Sequence, residues 1–491
     1  MNRSRLVLLA IAALGVSTLP CPADDRPNIL LIISEDNGPE LGTYGDLYAR
    51  TPNLDKLAAT GVRFDRAFVP QAGCSPSRAS FLTGLYVHQH GQLGLATWGF
   101  RLYRDDTPNV VRSLNDAGYR TGIIGKIHVN PESAFPFDFQ ALPTANFQRK
   151  NLVEYAAKAE SFFEASSQPF FLSVNYPDAH QPWLRQAEGL PKRPLDAADV
   201  QELPYLGLRG PKLRQLTADY YNSMERLDTL VGDLLAALDR SGKANDTLVI
   251  YLGDHGADFM RGKRTCYEGG LRIPLIVRWP GRAKPDQARN ELVSTIDLMP
   301  TLLAAAEAQA PPGLPGASLI ELLEGKNPDW RRYLFAEFHA HAAKMNFYPQ
   351  RSVRDDRYKL IENLLPGEVN PGYRDTFRLL KGDLPAAIES ASPEVRQAYR
   401  TMERPPRFEL YDLQADPFNF TTWQTTQGTP TSCASSSVSS PTGVRKPTTL
   451  SWTPAISRDS RSKRRSNRNP ALASVAGNTR TTSLRTRVHD N

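Results

Sequence analysis

The chain has 491 residues, of which 40% are hydrophobic and 23% charged, so it can bury a large core and reads as one big domain with a smaller one. Its net charge of +7 invites a nucleic-acid reading, but residues 419–491 carry 11 Lys and Arg against 2 Asp and Glu, which leaves 48 against 50 in residues 1–418. The body is near neutral, which argues against nucleic acid as a partner, and four cysteines in so long a chain argue against a disulfide framework.

In chain order, the first feature is an export signal. Arg3 and Arg5 precede an apolar run from Leu6 to Val16, and small residues lie ahead of Asp24. Residues 1–23 read as a secretory signal peptide, too short to span a bilayer, and imply a secreted or periplasmic protein. No later segment is long and apolar enough for a membrane span. Asn28–Ser34 (N-I-L-L-I-I-S) is a buried strand. Thr51-Pro52 opens a helix through Leu54, Leu57 and Ala58 that Gly61 stops. Cys74-Ser75-Pro76-Ser77-Arg78 starts another, with Pro76 in its first turn and Gly84 at its end. Thr107-Pro108 opens a helix that ends near Gly118. Thr121–Gly125, Pro169–Val174 and Thr247–Leu252 are strands, and a long amphipathic helix runs from about Leu216 to Leu238.

Continuous apolar strands alternating with helices imply an α/β domain over residues 24–330, with helices on both faces of its sheet. In such sheets sites lie beyond the carboxyl ends of strands. Glu35-Asp36, Lys126 and Asp254-His255 occupy those positions. From about Arg331 to Phe418, the runs Tyr333–Phe338, Arg351–Val353, Tyr358–Ile361 and Phe408–Tyr411 read as strands of a smaller antiparallel unit. After Phe418 the composition breaks: residues 421–491 contain 27 Ser and Thr. Residues 419–491 read as a disordered basic tail or as the product of a frameshift near Asn419. The neighbouring reading frame can encode an acidic loop and an amphipathic helix, and resequencing the gene tests that.

Cys74 needs a reason in an exported protein. A buried structural thiol is the bland one. Against it, a helix start offers free N–H groups and a positive dipole end that suit an anion, and Arg78 adds a forked cation. The run C-S-P-S-R-A-S-F-L-T-G then matches the signature C-x-P-S-R-x-x-x-x-T-G without departure. By this motif the chain resembles the formylglycine-dependent sulfatases, from about Arg26 to Asp416.

The resemblance implies an alkaline-phosphatase-like fold: a large mixed sheet with helices on both faces, plus a smaller C-terminal antiparallel sheet. It implies that a maturation enzyme oxidises Cys74 to formylglycine, whose hydrated gem-diol is the nucleophile. Glu35, Asp36, Asp254 and His255 match the metal ligands and would hold one Ca²⁺, a hard cation that prefers oxygen. Two of these depart from the family's commonest pattern, since Glu35 replaces an aspartate and His255 an asparagine. Lys126 and His128 in G-I-I-G-K-I-H-V, His180 in N-Y-P-D-A-H-Q-P and Lys263 in G-K-R-T-C-Y-E-G-G match further catalytic positions. Arg78, Lys126 and Lys263 would neutralise sulfate oxygens. His180, with Lys263, would protonate the leaving atom, and His128 would take a proton when sulfate is expelled.

The segments I-I-G-K-I-H-V-N-P-E-S-A-F-P-F-D-F, L-T-G-L-Y-V-H-Q-H-G-Q-L-G-L and Y-P-Q-R-S-V-R are similar to the heparan N-sulfatase (N-sulfoglucosamine sulfohydrolase) branch of the family. That implies a sulfated amino sugar as substrate, with His88, His90, His339, His341 and Arg351 as candidate sugar contacts. The Lys263 loop is similar to general sulfatases instead. Three alternatives stay open: an O-sulfatase on another polysaccharide or an aryl sulfate, a phosphoester hydrolase of the same superfamily, and a non-catalytic glycan-binding protein.

Overall fold

The computed structural model describes residues 26–342, 346–380 and 382–423. The expected signal peptide and the tail from residue 424 onward lie outside the described residues.

Eight strands form the main sheet, and their order from edge to edge is Gln287–Arg289, Val62–Phe64, Leu275–Arg278, Thr247–Gly253, Asn28–Ser34, Phe170–Asn175, Arg120–Ile124 and Phe139–Ala141. The centre is parallel: Asn28–Ser34 pairs in parallel with both Thr247–Gly253 and Phe170–Asn175. Leu275–Arg278 runs antiparallel to both of its neighbours and makes the sheet mixed. Alternation along one strand shows why the apolar run is continuous. Ile29, Leu31 and Ile33 enter one core, while Leu30 and Ile32 enter the other. Helices Cys74–Thr83, Val110–Asp116 and Leu298–Ala305 cover the first face, and Pro52–Ala59, Glu154–Glu164 and Pro211–Arg240 cover the second. Each fully buried Leu or Ile stabilises this sandwich by about 1.5–3 kcal/mol relative to exposure.

The expected elements appear with small shifts. The helix expected from Thr107-Pro108 begins at Val110 because the Asn109 side chain caps it, accepting from Arg112 N at 3.2 Å. The long helix runs 30 residues, starting at Pro211. The smaller sheet has four antiparallel strands, Leu334–Phe338, Gln350–Arg354, Tyr358–Asn363 and Phe408–Asp412, paired in that order. Between its last two strands lie helices Pro371–Leu380, Asp383–Glu389 and Pro393–Glu403, which the sequence reading did not place.

The described residues continue five positions past the composition break at Phe418. Asn419 is buried and its Oδ1 accepts from Glu268 N at 3.0 Å, while Arg261 binds the Phe418 and Asn419 carbonyls. Trp423 N reaches Leu410 O at 2.9 Å along the edge strand of the smaller sheet. Among the described residues, no helix is long and apolar enough to cross a membrane.

Candidate active site

Four strands of the main sheet end at one place. Ser34 is followed by Glu35 and Asp36, Ile124 by Gly125 and Lys126, Asn175 by the segment to His180, and Gly253 by Asp254 and His255. Two of the exits need glycine. Gly125 has φ +89°, and a Cβ there would sit 2.2 Å from Asn175 O. A Cβ on Gly253 would sit 2.1 Å from Asn37 O.

The helix Cys74–Thr83 starts over these strand ends, so Cys74 lies in its first turn. Cys74 is 1% exposed, with Sγ 3.3 Å from His255 Nε2 and 3.8 Å from Asp36 Oδ1. Around it, three buried carboxylates meet three buried cations. Arg78 Nε donates to Asp254 Oδ2 at 3.1 Å, and its Nη1 donates to Asn175 Oδ1 at 2.7 Å and Lys126 O at 3.2 Å. Lys126 Nζ lies 2.6 Å from Glu35 Oε2, and Lys263 Nζ lies 3.0 and 2.9 Å from the two oxygens of Asp36. Asp254 Oδ1 accepts from Asp36 N at 2.9 Å, which closes the ring.

The electrostatics follow from this packing. Burial pushes the Cys74 thiol up, but Lys263 and Lys126 outweigh it and the net direction is down. Burial also raises the Asp36 and Asp254 carboxyls, yet Lys263 beside the first, and His255 and Arg78 beside the second, hold both below the usual carboxylate range. Burial opposes a proton on His255, but Asp254 and Asp36 push its value up to about 9. Burial, reinforced by Lys126 and Arg78, pushes His128 down to about 3.

The donor set fits a hard divalent cation. Glu35, Asp36 and Asp254 are buried carboxylates, neutralised by Arg78, Lys126, Lys263 and a protonated His255 whose place a metal cation could take. His255 Nδ1 is engaged by Gly256 O at 2.8 Å, which leaves Nε2 facing Asp36 Oδ1 at 3.2 Å and Asp254 Oδ1 at 3.6 Å. Two groups with ligand-like spacing share the nucleophile position: Asp36, Cys74 and His255, and Glu35, Cys74 and His180. With His255 neutral as a ligand, the three carboxylates balance the three remaining cations, and a bound divalent ion would leave the site positive, which suits an anionic substrate.

Above this floor opens a cavity of about 610 Å³. Cys74, Lys126, His128, His180 and Lys263 line its base, and Trp98, Phe147, His341 and Asn346 are among its walls. Among the expected sugar contacts, the structure brings only His341 to this lining. His90 is sealed in the core, where it meets Ser80 Oγ at 3.0 Å and burial pushes its value down to about 3. His88 and His339 instead share the buried Glu337 carboxylate, at 2.9 Å each. Arg351 sits across the smaller sheet from Glu337 and is exposed.

The sequence reading missed several groups here. Asn175 orients Arg78; the sequence places it just after the expected strand Pro169–Val174, and the structure makes it the last residue of that strand. Asp258 and Arg264 pair with each other on the cavity lining, in a loop whose glycines gave no local hint of it. Phe147 stacks on His180 with ring centroids 4.5 Å apart.

A family model described as Sulfatase matches residues 27–308, and one described as N-sulphoglucosamine sulphohydrolase, C-terminal, matches residues 253–369. The chain is 33% identical to human N-sulphoglucosamine sulphohydrolase, over 81% of this chain and 85% of that protein. It is 33% identical to human arylsulfatase A, over 82% of this chain and 91% of that protein. A solved structure described as a complex with its substrate D-glucosamine-2-N,6-O-disulfate superposes with a TM-score of 0.60 at 20% identity, covering 81% of this chain and 93% of that one.

Proposed function

The chain belongs to the sulfatase family, hydrolases of sulfuric esters and sulfamates, and from that premise we propose that it removes the N-sulfo group of a sulfated glucosamine, with residue 74 matured to formylglycine beside a bound Ca²⁺. The observation that carries the nucleophile is the placement of Cys74 in a helix's first turn, within 3.8 Å of Asp36 and 3.3 Å of His255. The amino sugar is supported by the 33% identity to N-sulphoglucosamine sulphohydrolase and by the match of its C-terminal model to residues 253–369. An O-sulfated saccharide is the competing substrate for the same site.

Formylglycine at position 74 would supply the nucleophile as its hydrate, and a cation on Glu35, Asp36, Asp254 and His255 would supply Lewis acidity. The other roles fall to side chains around residue 74. Lys126, Lys263 and Arg78 surround position 74 and neutralise charge on the sulfate oxygens, more so as it builds in the transition state. His180 Nδ1 donates to Gln181 O at 2.6 Å and Nε2 lies 3.9 Å from Asp36 Oδ2, so it is the imidazolium, protonated on both nitrogens, that delivers a proton from Nε2 to the leaving nitrogen or oxygen. His128 stays neutral in the free protein. A sulfate group bound beside it raises its basicity, so that it can take a proton from residue 74 as sulfate leaves.

Mass spectrometry of the peptide containing residue 74 tests the first half of the proposal. Formylglycine is lighter than cysteine; an unmodified thiol in active protein overturns the mechanism. Parallel assays on N-sulfated and 6-O-sulfated glucosamine test the second half. Faster release from the 6-O-sulfated sugar would replace the sulfamate reading with an ester one.

A further inference from the structure

Behind His180 lies a buried ion network that the proposed chemistry does not use. Asp178 is fully buried between two arginines. Arg226 grips it with Nε at 2.8 Å and Nη2 at 2.7 Å, and Arg149 Nε donates to it at 2.9 Å. The rest of the Arg149 guanidinium goes to backbone. Nη1 donates to Phe147 O at 2.7 Å, and Nη2 donates to Pro177 O at 3.1 Å and to His180 O. One side chain therefore holds both the residue expected to protonate the leaving atom and the aromatic ring stacked on it at 4.5 Å.

The loop that presents Arg149 would not hold this shape alone. Leu142, Asn146, Arg149 and Asn151 all have positive φ, at 50°, 47°, 50° and 56°. Non-glycine residues adopt that region at a cost of roughly 1 kcal/mol each. The opposite partner is fixed as well: Glu35 N donates to Asp178 O at 2.9 Å, and Ala179 N returns a bond to Glu35 O at 2.6 Å. Buried arginine with so many acceptors is a geometric device, since a lysine offers one point charge where the guanidinium offers a planar fork.

We infer that Arg149, set by Asp178 and Arg226, is a positioning residue that aims His180 Nε2 at the leaving atom and fixes Phe147 as its backing. The inference rests on the reading of His180 as the proton donor. If it is right, loosening Arg149 must weaken proton delivery, and that matters only where the leaving group needs a proton.

The test uses the full matured chain, loaded with Ca²⁺, on two substrates of nearly equal size. 4-Nitrophenyl sulfate has a leaving group that departs as the anion; phenyl sulfate has a poorer one. The readout is the ratio of the two kcat/KM values, which is independent of how much of a preparation is folded. R149K is expected to lower the phenyl sulfate value about tenfold more than the 4-nitrophenyl value, a share of the ~10²–10⁴ of general acid catalysis. H180N is expected to shift the ratio further in the same direction. If R149K yields no soluble protein, R226K, which leaves Arg149 in place, takes its turn with a smaller shift of the same sign. An unchanged ratio in the arginine variant, with H180N shifted, overturns the inference and leaves the His180 reading standing. An unchanged ratio in H180N overturns both.

Discussion

The floor and the walls of the cavity are made in different ways. The floor is set by the ends of four strands and one helix start, and Cys74, Arg78, Asp36, Asp254 and His255 are all 1% exposed or less. The walls come from irregular segments, and they carry Trp98 at 55% and Phe147 at 41% exposure. Rigid elements hold charges to within fractions of an ångström, where transition-state stabilisation needs them. Loops hold the surfaces that choose the rest of the substrate. The floor should therefore serve any sulfate ester, and the walls should tell one saccharide from another.

The largest effect expected follows from altering the floor without changing its charge. R78K keeps a cation but gives up the paired contacts to Asp254 Oδ2 and Asn175 Oδ1. We expect kcat/KM to fall by about 10²–10³ on aryl sulfate and saccharide alike, the usual loss when one charge-stabilising donor is removed. Steady-state assays on both substrates check this. A loss confined to the saccharide would mean that Arg78 reads the sugar, and the division between floor and walls would break.

The same division explains what the sequence revealed. Glu35-Asp36, Lys126 and Asp254-His255 were visible because each follows an apolar run, and a strand's end is a place that period and composition mark out. Cys74 and Arg78 stood in one contiguous motif. The walls were not legible in this way. Arg149 sits in a segment without periodicity, and its role appears only when residues 29 positions away, at Asp178, fold against it. His90 falls among the sugar contacts that the resemblance implies, but its partner Ser80 lies ten residues back on a helix, where no local pattern reveals the pairing. The helix Pro393–Glu403 is legible in its pattern: Val395, Ala398, Tyr399 and Met402 recur at helical spacing and lie on its buried face.

A smaller effect is expected where the walls are braced. Glu268, at the start of the short helix Glu268–Leu271, accepts from Arg354 Nη1 at 2.7 Å and Lys359 Nζ at 3.0 Å, both on the smaller sheet whose first strand leads to His341. Burial raises the Glu268 carboxyl, but Lys359 and Arg354 outweigh it and the net direction is down. A depressed carboxyl contributes stability that is fully present above its ordinary value, near 4.5, and is lost as pH falls below it. E268Q should cost about 3 kcal/mol at neutral pH, because two buried cations lose their counter-charge. The gap in melting temperature from the parent protein should narrow as pH is lowered from 6 toward 3. A constant gap across that range would show that packing, not charge, holds the brace.

The smallest effect sharpens the comparison most. Trp98 ends a short turn, Ala96–Trp98, and its ring stands in the cavity wall while more than half exposed. Removing it forfeits little packing, so W98A should leave the melting temperature unchanged. An aromatic face that stacks on a sugar ring contributes about 0.5–1.5 kcal/mol, which corresponds to at most about a tenfold rise in KM. That rise should appear for a sulfated saccharide and be absent for 4-nitrophenyl sulfate, with kcat untouched for both, because the floor still meets the same sulfate. A fall in kcat on the aryl ester would instead place Trp98 among the supports of Cys74. The loop at residues 95–98 would then belong to the chemistry rather than to the choice of substrate.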